Sequence, residues 1–117
     1  MKPETKFRNS AIQPLLKSLP SSFFDGIQQV AKVGSLDYYG CCASRFVGLE
    51  VKAYEPNPNH KKTGTESLQD YNLQCIVQAG GIGIKVYPEN LEEVRDFLHN
   101  LSRGNYDPNS IQRRIGF

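Results

Sequence analysis

The sequence predicts an α/β (α+β) domain, a mixed central sheet of about four strands flanked by helices. Three observations predict it. Residues 45–54 alternate side chains with period two: Val47, Leu49, Val51 and Ala53 form an apolar row, and Phe46, Gly48, Glu50, Lys52 and Tyr54 form the opposite one. Residues 66–79 and 91–101 instead repeat apolar side chains at helical spacing. Between them, residues 82–87 form a short apolar run, so strand, helix and strand follow one another as in a right-handed parallel crossover.

In chain order, residues 4–18 read as a helix, with Phe7, Ala11 and Leu15 every four positions and Ile12 and Leu16 beside them. Pro3 suits its start, and Pro14 is expected to kink or shorten it. Residues 19–22 form a turn. Residues 23–30 fit strand or helix by pattern; strand is preferred, because Gly26 weakens a helix and Phe23-Phe24 lead into a hairpin. After a loop at 32–35, residues 36–42 read as a strand containing Tyr38, Tyr39 and Cys41. Residues 55–64, rich in Pro, Asn and Lys, read as a flexible loop. Thr65 is the expected cap of the next helix, which lays Leu68, Asn72 or Leu73, Ile76 and Ala79 along one side and stops at Gly80-Gly81. Asn90 and Glu93 resemble a capping box for the last helix, whose Leu91, Val94, Phe97, Leu98 and Leu101 share a face. The expected division is a domain over 1–101 and a loosely ordered C-terminal tail over 102–117.

A chain of 117 residues has enough length for a single core. No apolar run is long enough to span a bilayer, and the first residues lack a signal-peptide core, so a cytoplasmic protein is expected. Three cysteines, two of them adjacent, give neither a disulfide framework nor a zinc spacing; they read as packing residues of strand and helix. A net charge of +2 lends little support to a nucleic-acid partner, but His60, Lys61 and Lys62 cluster in one loop, and Arg113 and Arg114 lie near the end.

The chemistry is carried by charges in strands that otherwise read as buried. If residues 36–42 and 45–54 form a hairpin about Ala43-Ser44, facing residues have position numbers of constant sum. Cys42 then faces Arg45 and Asp37 faces Glu50, with Cβ atoms roughly 5 Å apart. Two bare carboxylates at about 4 Å repel by about 4 kcal/mol at an effective dielectric near 20. Lys52 offsets part of this, and a hard divalent cation would offset the rest; oxygen-only ligands suit Mg²⁺ or Mn²⁺ better than Zn²⁺. The plain alternative is a cross-strand salt-bridge cluster on a solvated sheet face.

These residues and the element order resemble the PD-(D/E)xK nuclease superfamily, within it the VRR-NUC type, small stand-alone phage-like domains related to Holliday junction resolvases. The likeness covers roughly residues 4–99. Gly34-Ser35-Leu36-Asp37 stands where the family has Gly-x-Pro-Asp, and Gly48-Leu49-Glu50-Val51-Lys52 matches its Glu-x-Lys strand. Gln69-Asp70-Tyr71-Asn72-Leu73 matches its helix beginning with glutamine, and Ala79-Gly80-Gly81 with Ile84-Lys85-Val86-Tyr87 matches its last core strand. Glu4 holds the place of a glutamate on the first helix, where a favourable charge at a helix N-terminus is the plainer role. Two departures stand out. Leu36 replaces the family's proline, and Glu66 stands where the family often has Ser or Thr.

The resemblance implies a restriction-endonuclease-like core and a metal-dependent endonuclease that hydrolyses DNA phosphodiester bonds. Asp37, Glu50, the Val51 carbonyl and Glu4 are the implied ligands of Mg²⁺ or Mn²⁺. Lys52 would stabilise developing charge, and Gln69 would position the lysine or a water. The implied products carry 5′-phosphate and 3′-hydroxyl ends. His60, Lys61 and Lys62 are candidate phosphate contacts or a solvated loop; Arg113 and Arg114 are a second clamp or part of the tail. His99 reads as a surface or capping residue, and Tyr38 and Tyr39 as packing. The implied activity is that of a junction resolvase working as a homodimer on branched or duplex DNA in a bacterial or phage-infected cytoplasm. The alternatives are a weakly selective nicking nuclease and a catalytically decayed DNA-binding protein.

Overall fold

The computed structural model describes residues 2–27 and 34–117, and the expected strand and loop assignments at 28–33 lie outside them. Helix α1 (Pro3–Phe7) runs through a π-helical turn (Arg8–Ile12) into α2 (Gln13–Ser18). The wide turn answers the expected kink: it lies immediately ahead of Pro14, whose ring would collide with the carbonyl four residues back in a regular helix. Strands β1 (Ser22–Gly26), β2 (Tyr38–Cys42) and β3 (Arg45–Val51) follow, then α3 (Gly64–Gln78), β4 (Ile82–Val86), α4 (Leu91–Ser102) and β5 (Arg114–Ile115).

The sheet has five strands in the order β1-β2-β3-β4-β5. The first three form an antiparallel meander, and β3, β4 and β5 are parallel neighbours. It is therefore mixed, as expected, with one more strand than the expected four. The extra strand corrects the reading of residues 102–117 as loosely ordered. Ile115 is buried in the core beside Ile84, and the apolar signal there was one residue long.

One sheet face carries Val47, Leu49, Val51, Ile82, Ile84 and Val86 against Ile12, Leu15 and Leu16 from the first helical stretch and Val94, Leu98 and Leu101 from α4. Each such aliphatic side chain contributes about 1.5–3 kcal/mol when fully removed from water. The other face is covered by α3. It approaches closely because two strand positions there are glycines. A Cβ at Gly48 would sit 2.5 Å from Ile76 Cδ1, and one at Gly83 would sit 3.0 Å from the Leu73 carbonyl oxygen. Beyond the glycines the same face carries Glu50 on β3 and Lys85 on β4, directly paired in register. The helix is thus pressed against a sheet face whose far end is charged.

Several local expectations are corrected. The cap of α3 is Thr63, whose Oγ1 accepts the Glu66 N–H at 3.1 Å, and the helix starts one residue before Thr65. Its buried side chains are Gln69, Asp70 and Leu73, whereas Leu68 is exposed; the apolar spacing misplaced the face because the sheet beneath is polar at that end. The capping box at Asn90 does not form. Asn90 is buried instead, its Oδ1 accepting the Tyr87 N–H and its Nδ2 donating to the Lys85 carbonyl, both at 2.9 Å, which fixes the end of β4. Cys42 packs in the core and Cys75 is half-buried, but Cys41 is exposed; all three are free thiols.

The hairpin register is the expected one: Cys42 pairs with Arg45 and Tyr38 with Leu49. Ala43 and Ser44 take φ of 49° and 68° to make the turn. Positive φ at both central residues matches the strand twist but strains residues with a Cβ. Replacing Ala43→Asn together with Ser44→Gly is expected to stabilise the fold by about 1 kcal/mol. A higher urea midpoint at unchanged slope would register it.

Candidate metal centre

The meander and the first helix bring three carboxylates together. Asp37 lies one residue before β2, Glu50 is the penultimate residue of β3, and Glu4 is in the first turn of α1. One oxygen from each lies within 4.8 Å of the others. Asp37 and Glu50 are 5% and 1% exposed, so this is no salt-bridge cluster on a solvated face, which decides against the plain alternative. The two are locked by the backbone: the Val51 N–H donates to Asp37 Oδ2 at 2.7 Å, and the Asp37 N–H donates to Glu50 Oε1 at 3.2 Å.

Lys52 follows β3, its N–H continuing the parallel ladder to the Val86 carbonyl. Its Nζ lies 3.3 Å from Glu50 Oε2 and donates to Gln69 Oε1 at 3.1 Å. Gln69 is aimed at the lysine from α3 because the glycine-lined face lets that helix sit close. Glu4, Asp37, Glu50, Lys52, Gln69 and the Val51 backbone therefore meet at one place.

The electrostatics are those of a site short of positive charge. Burial pushes the Glu50 carboxyl up to about 8; the adjacent Asp37 carboxylate adds to this, and Lys52 opposes it. Burial also raises Glu4, again helped by Asp37. Three oxygen ligands converging from fixed backbone positions, with one carboxyl unwilling to ionise alone, can hold a metal ion.

Comparison with protein-family models, with curated proteins and with solved structures finds no significant match.

Three participants carried no expected role. Arg8, one turn after Glu4, donates from Nη2 to Asp37 Oδ1 at 2.9 Å and lies 3.7 Å from Glu4 Oε1. The four-residue spacing of Glu4 and Arg8 was a legible sign that they share a helix face. Asp70 and Lys85 form a buried ion pair between α3 and β4, and Lys62 joins the same carboxylate from the 55–63 loop. Burial raises the Asp70 carboxyl, but hydrogen bonds from Lys62 and Lys85 outweigh it and hold the group below its ordinary range. A lysine in an apolar strand was the same kind of signal as Glu50.

A cleft of about 550 Å³ opens beside the cluster, lined by Glu4, Lys52, Tyr54, His60, Lys62 and Lys85 among others. Of the expected phosphate contacts, Lys62 is tied to Asp70, His60 Nε2 lies 3.3 Å from Glu66 Oε1, and Lys61 is exposed. Arg113 and Arg114 are engaged elsewhere. Arg113 donates to the Val77 carbonyl, which ties the C-terminal segment to α3, and Arg114 stacks over the Phe117 ring of its own segment at 4.4 Å. His99 lies in the last turn of α4, in a depression with Asp96, Asn100 and Arg103. Tyr38 is a core residue, whereas the Tyr39 hydroxyl accepts the Leu36 N–H at 3.2 Å and steadies the turn into Asp37. No helix among the described residues is long and apolar enough to cross a membrane.

Proposed function

We propose that the chain is a metal-dependent endodeoxyribonuclease of the PD-(D/E)xK type, close to the VRR-NUC nucleases. The observation that carries this is the convergence of Glu4, Asp37 and Glu50 on one point with Lys52 gripped between Glu50 and Gln69. Hard oxygen donors without imidazole or thiolate fit Mg²⁺ or Mn²⁺. Bound there, such an ion supplies charge against the scissile phosphate and lowers the pKa of water.

The chain's own groups do the rest. Asp37 and Glu50 fix the position of the centre through backbone hydrogen bonds, and the Val51 carbonyl and Glu4 complete the ligand set. Lys52 is preorganised by Gln69 to orient the attacking water and meet the charge that develops on the phosphate. Leu36, where the resembled motif has proline, donates its N–H to Tyr39; a proline has no such donor, so this departure is compensated locally. His60 and Lys62, once they leave Glu66 and Asp70, supply duplex contacts along the cleft, and the exposed Lys61 supplies one beside it. Cutting a four-way junction symmetrically takes two centres, hence a homodimer for the resolvase form of this reading.

Lys52→Ala is expected to lower cleavage by about 10²–10³-fold, the loss typical of one preorganised charge-stabilising donor, with DNA affinity changed only a few-fold. Substrate class is tested with a labelled four-way junction and a matched linear duplex, each in Mg²⁺, Mn²⁺ or EDTA. Paired metal-dependent nicks in the junction alone are the result expected of a resolvase. Cutting of both would make it a weakly selective nuclease. Binding without cutting in any metal would make it a DNA-binding protein on a decayed nuclease fold.

A further inference from the structure

We propose that Arg8 is a phosphate-binding residue held in reserve: its guanidinium neutralises Asp37 while no divalent ion is bound, and turns to the nucleic-acid phosphate once an ion takes its place. This rests on the nuclease reading above.

The argument starts from the two oxygens of Asp37. Oδ2 is committed to the Val51 N–H, a fixed backbone donor. Among the described residues Oδ1 is held only by Arg8 Nη2, from a long side chain on the first helical stretch. An ion that takes Oδ1 competes with the guanidinium for that oxygen, because the two positive charges repel at contact distance. Charge balance points the same way. With a divalent ion bound and all three carboxyls ionised, the ion, Arg8 and Lys52 outweigh the carboxylates by one positive charge, which a single phosphodiester balances.

Arg8 is also under-used where it stands. Its Nε is buried and donates to no acceptor among the described residues, although guanidinium presents five N–H donors in a fork suited to phosphate. The side chain is 26% exposed, so its outer edge reaches solvent. The idle donor and the open edge leave the guanidinium able to take a second partner.

The test compares wild type with Arg8→Gln in two measurements. Calorimetric titration of Mn²⁺ without DNA is expected to show about 3–10-fold tighter binding in the variant, since the competitor for Oδ1 is gone. Duplex binding is then measured in a Lys52→Ala background, where cleavage is slowed, across a salt series. In Mn²⁺, Arg8→Gln is expected to weaken binding about 10-fold and reduce the salt slope by about one. In EDTA it is expected to change affinity less than twofold. Unchanged or weaker Mn²⁺ binding, or equal DNA loss with and without Mn²⁺, would overturn the proposal. Should Arg8→Gln fail to fold, Arg8→Lys keeps the charge but not the fork and is expected to lose DNA affinity in Mn²⁺ alone; no such loss would overturn it. If folded wild type binds no Mn²⁺, the nuclease reading fails with it. If wild type binds Mn²⁺ and Glu50→Gln does not, while Arg8→Gln matches wild type, only the role of Arg8 fails.

Discussion

Glu50→Gln is expected to abolish cleavage and, in metal-free protein, to make the fold more stable at alkaline pH. A free Glu carboxyl titrates near 4.5, and in the fold this one is held near 8, first by burial and then by Asp37. A group whose pKa is raised on folding stabilises the protein in its protonated form. That contribution is fully present below about pH 4.5, is lost as pH rises toward 8, and stays lost above it. Glutamine keeps the shape and an acceptor for the Asp37 N–H without the charge. Lys52 loses one partner, but it is a quarter exposed and keeps Gln69. In EDTA at pH 8.5 the variant should therefore exceed wild type by a few kcal/mol, and at pH 4 the two should nearly coincide. Thermal melts at the two pH values check this. Mn²⁺ should raise the melting temperature of wild type at pH 8 and leave the variant unmoved. Equal stability of the two proteins at pH 8.5 would mean that Glu50 is not the strained carboxyl described here.

The second large effect is on stability alone. Asp70→Ala removes the carboxylate that holds Lys85, a lysine only 6% exposed between α3 and β4. Breaking one side of a buried pair strands the other charge, at about 3–5 kcal/mol. Against the roughly 5–15 kcal/mol that holds a domain of this size, that is a large fraction. Replacing both partners, Asp70→Leu with Lys85→Met, is expected to cost far less, because no charge is left without a partner. The depressed Asp70 carboxyl gives the wild-type pair its own pH signature. Its contribution is present above pH 3.8 and is lost as pH falls below it, the opposite sense to Glu50. Urea unfolding of the single and double variants separates the cases: a loss under about 1 kcal/mol for Asp70→Ala would show that Lys85 finds another partner or solvent.

The register of the acid-bearing hairpin was legible because it needs only one number, the centre of the turn. Once Ala43-Ser44 is placed there, Asp37 and Glu50 face each other whatever the turn geometry. The alternation in residues 45–54 was equally readable, since burial on one face imposes period two. What stayed hidden depended on two elements meeting. Arg8 reaches Asp37 across 29 positions, and Asp70 meets Lys85 across 15, so no local pattern links either pair. The face of α3 was misread for the same reason: an apolar stripe marks the buried side of a helix only if the surface beneath is apolar, and here it ends in Glu50 and Lys85. β5 escaped because two residues added to an existing edge leave almost no periodic signal. Asp37, Glu50 and Lys52 were thus found from strand geometry and Glu4 from the resemblance, whereas the counter-charge of Arg8 was not found.

The central claim is that the Glu4–Asp37–Glu50 cluster with Lys52 is a hydrolytic metal centre. It is tested most directly by incubating wild type and Glu50→Gln, purified identically, with end-labelled DNA in Mn²⁺ and in EDTA. The account predicts cleavage by wild type in Mn²⁺ alone, and none by Glu50→Gln in either condition although it is folded and binds the DNA. Equal cleavage by both proteins, or cleavage by wild type that persists in EDTA, would contradict it.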